Sequence, residues 1–457
     1  MPEEHFLEIV PLKKADAESI YLECLKAKGS QIGRIVGMGF DGASTFSRAK
    51  TGVQARINEH APHALFVHCH CHLLQLAAVQ AANSTLGIKH VYLTLTTRWK
   101  YFHYSPKRTE SLIEIQHVLD LPELKVIKPS DTRWLAHERC VKAVKESYSA
   151  IVVPLESIYE TSNEPEALGL HKALCKVSTV AAMLLLDFTL PQVAKLSKAL
   201  QTKQLDLTMT SSLVNATLES LDDAVLPAAN WVLELFDKCD DLQKATGVGI
   251  DLDNIKIFQE NIAKPFVTHL KKNISSRFAS SHDVISALSI FDPRKVPDEG
   301  SASLRTYGDE SVKAVVAHYG EDKAAKTVGG EQTVRKALIS TDVCTEWKTF
   351  HNFLTKKPQD DTALQLKELA TNQMLIAMFP NLQKLACISL AIPVSTASVE
   401  RSCSQMKIFK TRLVNTLSGS SLPYLMKIAI ESPDQLSEGD LEDIVDVWSR
   451  KSRRIAV

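Results

Sequence analysis

The hydrophobic pattern of the chain changes once, near residue 134. Before it, short apolar runs alternate with amphipathic ones. "HFLEIVPL" reads as a strand, with Phe6, Ile9 and Val10 in an apolar run that Pro11 ends. "ADAESIYLECLKAKG" reads as a helix, because Ala17, Ile20, Tyr21, Cys24 and Leu25 recur at helical spacing and Gly29 stops it. "IGRIVGMGFDGAS" is a buried strand entering a tight turn at Asp41 and Gly42, and "TGVQARINEHAP" is a short helix closed by Pro62. "ALFVHCHCHLLQLAAVQAAN" begins as a strand over Leu65–Cys69 and continues as a helix to Asn83. This β-α-β-α-β-α order predicts a layered α/β unit.

From Trp134 to about Pro380 the chain reads as long amphipathic helices with short breaks, such as "STVAAMLLLDFTLPQVAKLSKALQ". The expected fold class is α/β plus all-α, mostly helical overall. The expected units are 1–134 (α/β), 135–378 (all-α), 379–432 (a C-terminal segment) and 433–457 (a polar tail). The tail reads as a solvated helix end; the alternative is that its "SRKSRR" is a weak basic address signal, which suits a nuclear location and otherwise a cytoplasmic one.

Composition narrows the function classes. Lys plus Arg equal Asp plus Glu at 53 each, so any DNA contact depends on local patches rather than bulk charge. The nine cysteines form no regular framework, which suits a reducing compartment. No unbroken apolar run reaches the roughly 18 residues of a membrane span, and "MPEEHFLEIVPLKK" lacks a signal-peptide layout.

Five constellations could carry chemistry. Asp41 follows a strand, where α/β folds collect active-site carboxylates, although on local features alone it reads first as the turn residue of an Asp-Gly turn. "VHCHCHLLQL" places His and Cys close together without the second ligand pair that a structural zinc site needs, so no zinc is expected. In "TTRWKYFHYSPKRTE", Arg98, Lys100, Lys107 and Arg108 interleave with aromatic residues. That pattern suits nucleic acid, or else an amphipathic helix with its rings in the core. In "SDTRWLAHERC", Ser130 or Asp131 can cap a helix. Arg133 is a possible DNA contact, and Trp134 is an inter-domain anchor or a stacking residue. Finally, Ser395 or Thr396 can cap a helix with Glu400 in its first turn. Val399, Cys403, Met406 and Leu413 form one stripe there, and Lys407, Lys410 and Arg412 form a cationic face.

Singly these signals are weak, but their order is specific. "GFDGAS…TGVQARI…VHCHCHLLQLA…YFHYSPKRTESL…SDTRWLAHERC…FDPR…IPVSTASVERSCSQMKIFKTRLVNTLSGSSLPYLMKIAI" resembles hAT-type transposases and the cellular proteins derived from them. The resemblance implies an RNase H-like domain interrupted by a large all-α insertion and closed by a C-terminal dimerisation segment. It implies Mg²⁺ chemistry at DNA ends by two Asp and one Glu. Asp41 matches the second carboxylate and Glu400 the third, while Cys69 and His72 match a Cys-x-x-His pair. Gln75 stands where the family usually has Asn, and Cys403 where it usually has Phe.

The first catalytic Asp has no counterpart, so the RNase H-like domain is expected to be N-terminally truncated. The expected protein is transposase-derived and catalytically inactive, with Mg²⁺ as cofactor only if active. It dimerises with itself or a related transposase-like protein through Val399, Cys403, Met406, Leu413, Leu422, Leu425 and Ile428. DNA is a further expected partner; a membrane and a small-molecule substrate are not. The alternatives are a fragment of an active transposase and a nuclear adaptor or transcriptional co-regulator.

Overall fold

The strand-to-helix changeover after His68 organises the N-terminal part. The computed structural model describes the chain except residues 1–4, 6–8, 121–122, 124–125, 130–136, 203–206, 227–228, 247–251, 280–282, 357–361, 411–420, 434 and 451–457. Helix α1 is Ala17–Lys28, β1 is Gly37–Phe40, α2 is Ser44–Ser47 and α3 is Val53–Asn58. Strand β2, Leu65–His68, leads directly into α4, His70–Ser84. The reason lies in the side chains: Leu65 and Val67 are buried alternately, then Leu73, Leu74, Ala77, Ala78 and Ala81 are buried at helical spacing. The strand is one residue shorter than expected, and Cys69 becomes the N-cap of α4.

β1 and β2 pair in parallel, with Gly37 opposite Leu65 and Phe40 opposite His68. The strand expected in "HFLEIVPL" does not join them. Phe6–Glu8 lie outside the described residues, and Ile9–Leu12 carry no strand pairing. Pro11, which has no amide hydrogen, weakens any ladder there. Among the described residues the α/β part is therefore a two-stranded sheet.

The rest is mostly helical, as expected. A first body comprises α4, α5 (Leu86–His103), α6 (Pro106–Val118), α7 (His137–Glu146), α8 (Tyr148–Ser162), α9 (Pro165–Leu174), α10 (Val177–Ala199), α11 (Leu207–Ser220), α12 (Asn230–Thr246), α13 (Leu252–Phe258) and α14 (Lys264–Ala279). Its apolar core gathers buried residues from Leu74 to Ile274, so α4–α6 share one core with the helices beyond residue 134. Helix α10 is central and is buried from Val180 to Leu186. It is long and apolar enough to cross a membrane, with a mean hydropathy of 1.5 over its best window, yet 56% of that window is buried within the body. Asp187 interrupts the run and hid this length in the sequence. Lys145 bonds it at 2.6 Å, so the carboxylate is neutralised beside the core.

A second body packs on β2. Leu65 and Val67 share a core with residues 284–394, centred on Trp347, Phe350 and Phe291. Its helices are α15 (Asp283–Ala287), α16 (Asp309–Tyr319), α17 (Val343–Leu354), α18 (Thr362–Thr371), α19 (Gln373–Met378) and α20 (Pro380–Ala391). Glu346 of α17 accepts from the amides of Asn381 and Leu382, at 3.0 and 2.9 Å, and so satisfies the first turn of α20.

One element corrects the all-α expectation for 135–378. β3, Lys323–Lys326, and β4, Gln332–Arg335, form an antiparallel hairpin. It is secured by contacts remote in sequence: the Lys326 amide donates to the Glu59 carbonyl at 2.7 Å, and Arg335 Nε donates to the His60 carbonyl at 3.1 Å. Helices α21 (Ala397–Phe409), α22 (Ser421–Glu431) and α23 (Glu438–Ser449) end the described fold.

Candidate functional site

Small residues bring the C-terminal segment onto the sheet. A Cβ on Gly39 would lie 2.9 Å from Pro393 Cγ, and one on Gly37 would lie 3.1 Å from Pro393 Cδ. Strand β1 thus presents a bare backbone against which Ile392 and Pro393 pack. The amide of His70 donates to the Val394 carbonyl at 3.1 Å. The amide of Thr396 donates to Cys69 Sγ at 3.3 Å, and the Cys71 thiol lies 3.6 Å from Ser395 Oγ. The two cysteines grip the segment just before α21; of the Cys-x-x-His match only Cys69 takes part, while His72 stacks on His68 with ring centroids 5.7 Å apart. The Cys71 thiol beside Cys69, with the Thr396 amide, holds the Cys69 thiol below its ordinary range; the same pairing, with burial, raises Cys71.

This docking sets Glu400 in the first turn of α21, with Thr396 at the N-cap. The Thr396 hydroxyl makes no cap bond; Ser395 Oγ instead accepts from the Ala397 amide at 3.0 Å. Asp41 directly follows β1. Its Oδ1 accepts from the Ala43 amide at 3.0 Å, and its carbonyl accepts from His68 Nε2 at 2.8 Å. Gly42 has φ +77°, and a Cβ there would strike the His68 ring, so only glycine suits this turn.

Asp41 and Glu400, 359 residues apart in sequence, line one cleft of about 750 Å³ together with His72, Gln75, Gln201 and Lys407. A larger cavity of about 950 Å³ lies in the first helical body, lined from α8, α9, α10 and α13, and contains none of the predicted site residues.

The cleft brings two carboxylates to one place, fewer oxygen donors than a two-metal site uses. Two divalent cations about 3.5–4 Å apart need several converging oxygen ligands. The cleft offers two carboxylates, one already accepting a backbone amide, and Lys407 shares its wall. Among the described residues no group of three or more His, Cys, Asp or Glu is placed to hold a metal ion. These residues do not by themselves fit the two-metal centre.

The cationic candidates divide. Arg98 is only 2% exposed and cannot reach DNA. It lies on the inward stripe of α5 with Val91, Leu95 and Phe102, and donates to the Ile127 carbonyl at 3.4 Å. That stripe position was visible in the sequence as a spacing of seven from Val91. Arg108 pairs with Glu164 and stacks over Tyr101, with its guanidinium carbon 3.8 Å from the ring centroid. Trp99, Tyr101 and Phe102 are core rings, as the amphipathic reading of this segment had it. Lys100 and Lys107 are exposed, as are Lys407, which lines the cleft, and Lys410. Arg133, Trp134 and Arg412, like the caps Ser130 and Asp131, lie outside the described residues.

Half of the six described dimerisation candidates are at the surface. Val399 and Ile428 are each 61% exposed and Cys403 is exposed, whereas Met406, Leu422 and Leu425 are half-buried. Leu413 lies outside the described residues. Tyr424 and Ile430 of α22 also face outward, and sequence reading had not singled them out. Their spacing from Ile428, four and two residues, contains the signal for Tyr424 only.

Residues 373–429 match the hAT family C-terminal dimerisation region. The match covers α19 and α20, all of α21, and α22 up to its last two residues.

Proposed function

We propose, taking as premise that this chain is an hAT-family transposase-related protein, that it self-associates through α21 and α22 and does not cut DNA by itself. One observation carries the first half: the matched dimerisation region exposes Val399, Tyr424 and Ile428 instead of burying them. Large apolar side chains gathered at the surface of a chain mark an interaction site. Light scattering on the purified chain is expected to give a dimer at micromolar concentration; a monomer there overturns the reading.

The second half rests on the donor set. Two carboxylates leave a metal pair short of ligands and of negative charge. With Mg²⁺ or Mn²⁺, hairpin and nicked DNA are expected to remain intact. Nicking that disappears in Asp41→Ala or Glu400→Ala refutes this half.

The parallel β1–β2 pair, with Asp41 at the end of β1, supports an RNase H-like reading of the α/β part. A second functional reading has one observation in its favour. Asp41 and Glu400 share a cleft, so a third carboxylate supplied by a preceding segment would complete the triad. Genomic sequence upstream of Met1 encoding a strand with such an Asp favours that reading.

A further inference from the structure

Helix α23 lies beyond the matched dimerisation region and remains unexplained by it. It opens on a capping box: the Asp440 amide donates to Ser437 Oγ at 3.2 Å, and the Ser437 amide donates to Asp440 Oδ2 at 3.1 Å. Leu441, Ile444, Val445 and Trp448 follow at spacings of three, one and three, an amphipathic stripe. Yet α23 has no buried residue, and Ile444 and Val445 are 52% and 59% exposed. A helix of 12 residues that buries nothing is marginal in water, so this stripe is built to meet a surface.

Charge identifies the surface. Residues 432–449 carry six acids (Asp434, Glu438, Asp440, Glu442, Asp443 and Asp446) and no Lys or Arg. Residues 397–431, which span α21 and α22, carry five cations (Arg401, Lys407, Lys410, Arg412 and Lys427) and two acids (Glu400 and Glu431). Two α23 helices laid together would oppose acid to acid, which is destabilising. The outer face of α22 offers the complement. Tyr424, Lys427 and Ile428 lie at helix spacings of three and one, and Tyr424 and Ile428 are both exposed. Among the described residues, Tyr424 and Ile428 of α22 and Leu441, Ile444 and Val445 of α23 are all exposed, although only six residues separate the two helices.

We propose that α23 of one copy covers the Tyr424–Ile428 face of α22 in a second copy, and reciprocally, as a C-terminal strap across the dimer. The occupant is a second copy because α22 belongs to the dimerisation region, with which α23 is continuous. The strap rests on the self-association reading and extends it by an acidic helix meeting the exposed Tyr424–Ile428 face, whose Lys427 also lies 3.9 Å from Glu431 of its own helix. Each α23 adds its apolar stripe to an interface that otherwise has few anchors, and the charge blocks set its direction.

The test uses the full chain with Ile444→Asp, Asp443→Lys and Lys427→Glu, read by sedimentation over a dilution series. Because α23 buries nothing, Ile444→Asp is expected to fold and melt as the parent does. It should weaken the dimer by about tenfold or more. Asp443→Lys and Lys427→Glu should each weaken it and together restore it, and the weakening should fade at high salt. A dimer whose affinity ignores all three changes overturns the strap and leaves self-association standing. A melting shift independent of protein concentration, with dimer affinity unchanged, places α23 on its own chain and also overturns the strap. A parent chain that is monomeric throughout overturns the self-association reading, and the strap with it.

Discussion

Helices α10 and α22 are built from the same materials and meet opposite fates. α10 (Val177–Ala199) has twelve buried residues, among them Leu184, Leu185 and Leu186 in succession. α22 (Ser421–Glu431) carries Leu422, Tyr424, Leu425, Met426, Ile428 and Ile430, yet only Met426 is buried. α10 is buried on every side from Val180 to Leu186, as a helix segment surrounded by other helices must be. α22 is apolar in excess of what its one packed face consumes. The difference shows that hydrophobic content at the C-terminal end is not spent on the monomer's core, and it is what the self-association reading explains.

The comparison breaks most sharply at Leu185. Leu185→Ala is expected to cost about 2–5 kcal/mol of unfolding free energy, by lost transfer energy plus a cavity, read by urea denaturation. Ile428→Ala should cost the isolated chain less than about 0.5 kcal/mol. Equal losses at the two positions would mean that α22 is a core helix after all.

Acid is the next test, because it acts where the helical body meets the sheet. His70, at the first turn of α4, is almost wholly buried. Burial, followed by the neighbouring His68, pushes its imidazole down to about 4. Its neutral form is therefore the folded form, while the unfolded chain takes up a proton near pH 6.5. The stability that His70 confers is complete above about pH 6.5. It is lost progressively as pH falls toward 4, by about 3 kcal/mol in all. His63 and His351, lowered by burial as well, add with the same sign. The pH profile of the urea midpoint checks this, and His70→Phe should flatten it. An unchanged slope in that variant removes His70 as the cause.

What the sequence made legible, and what it did not, follows how far each feature depends on remote contacts. The β2-to-α4 changeover could be read because the period of burial shifts from two to near four within residues 65–78. The C-terminal region could be read because its motif is local. The β3–β4 hairpin could not: "KAAK" and "QTVR" are polar and short, and they become strands by anchoring to Glu59 and His60, more than 250 residues earlier. The reading of Arg98 failed because the interleaved aromatics drew attention from its inward stripe position. The cleft was legible as two carboxylates, but not as a place. Its closure depends on bare β1 glycines receiving Pro393 and on two thiols gripping Ser395 and Thr396.

A smaller effect separates folding from association in the C-terminal helices. Ile428→Asp places a charge on the outer face of α22 and should leave the melting curve of dilute protein unchanged within about 0.5 kcal/mol. The dimer should weaken by about tenfold or more, read by sedimentation across a dilution series. A lowered melting temperature that accompanies monomers at every concentration would instead return α22 to the core.

The smallest expected effect falls on the cleft itself. Asp41→Asn keeps an oxygen able to accept from the Ala43 amide, so the turn into α2 should survive. Glu400→Gln keeps the shape of the first turn of α21 and gives up only a favourable charge at a helix start, worth roughly 0.3–1 kcal/mol. Millimolar Mg²⁺ should therefore stabilise neither the parent nor the double variant, because a ligand that binds the folded state must raise its melting temperature. A rise of several degrees in the parent that is absent from Asp41→Asn/Glu400→Gln would show that the two carboxylates hold a cation without a third. The cleft would then contrast with the α22 face in the opposite way: a site kept for chemistry beside a surface kept for assembly.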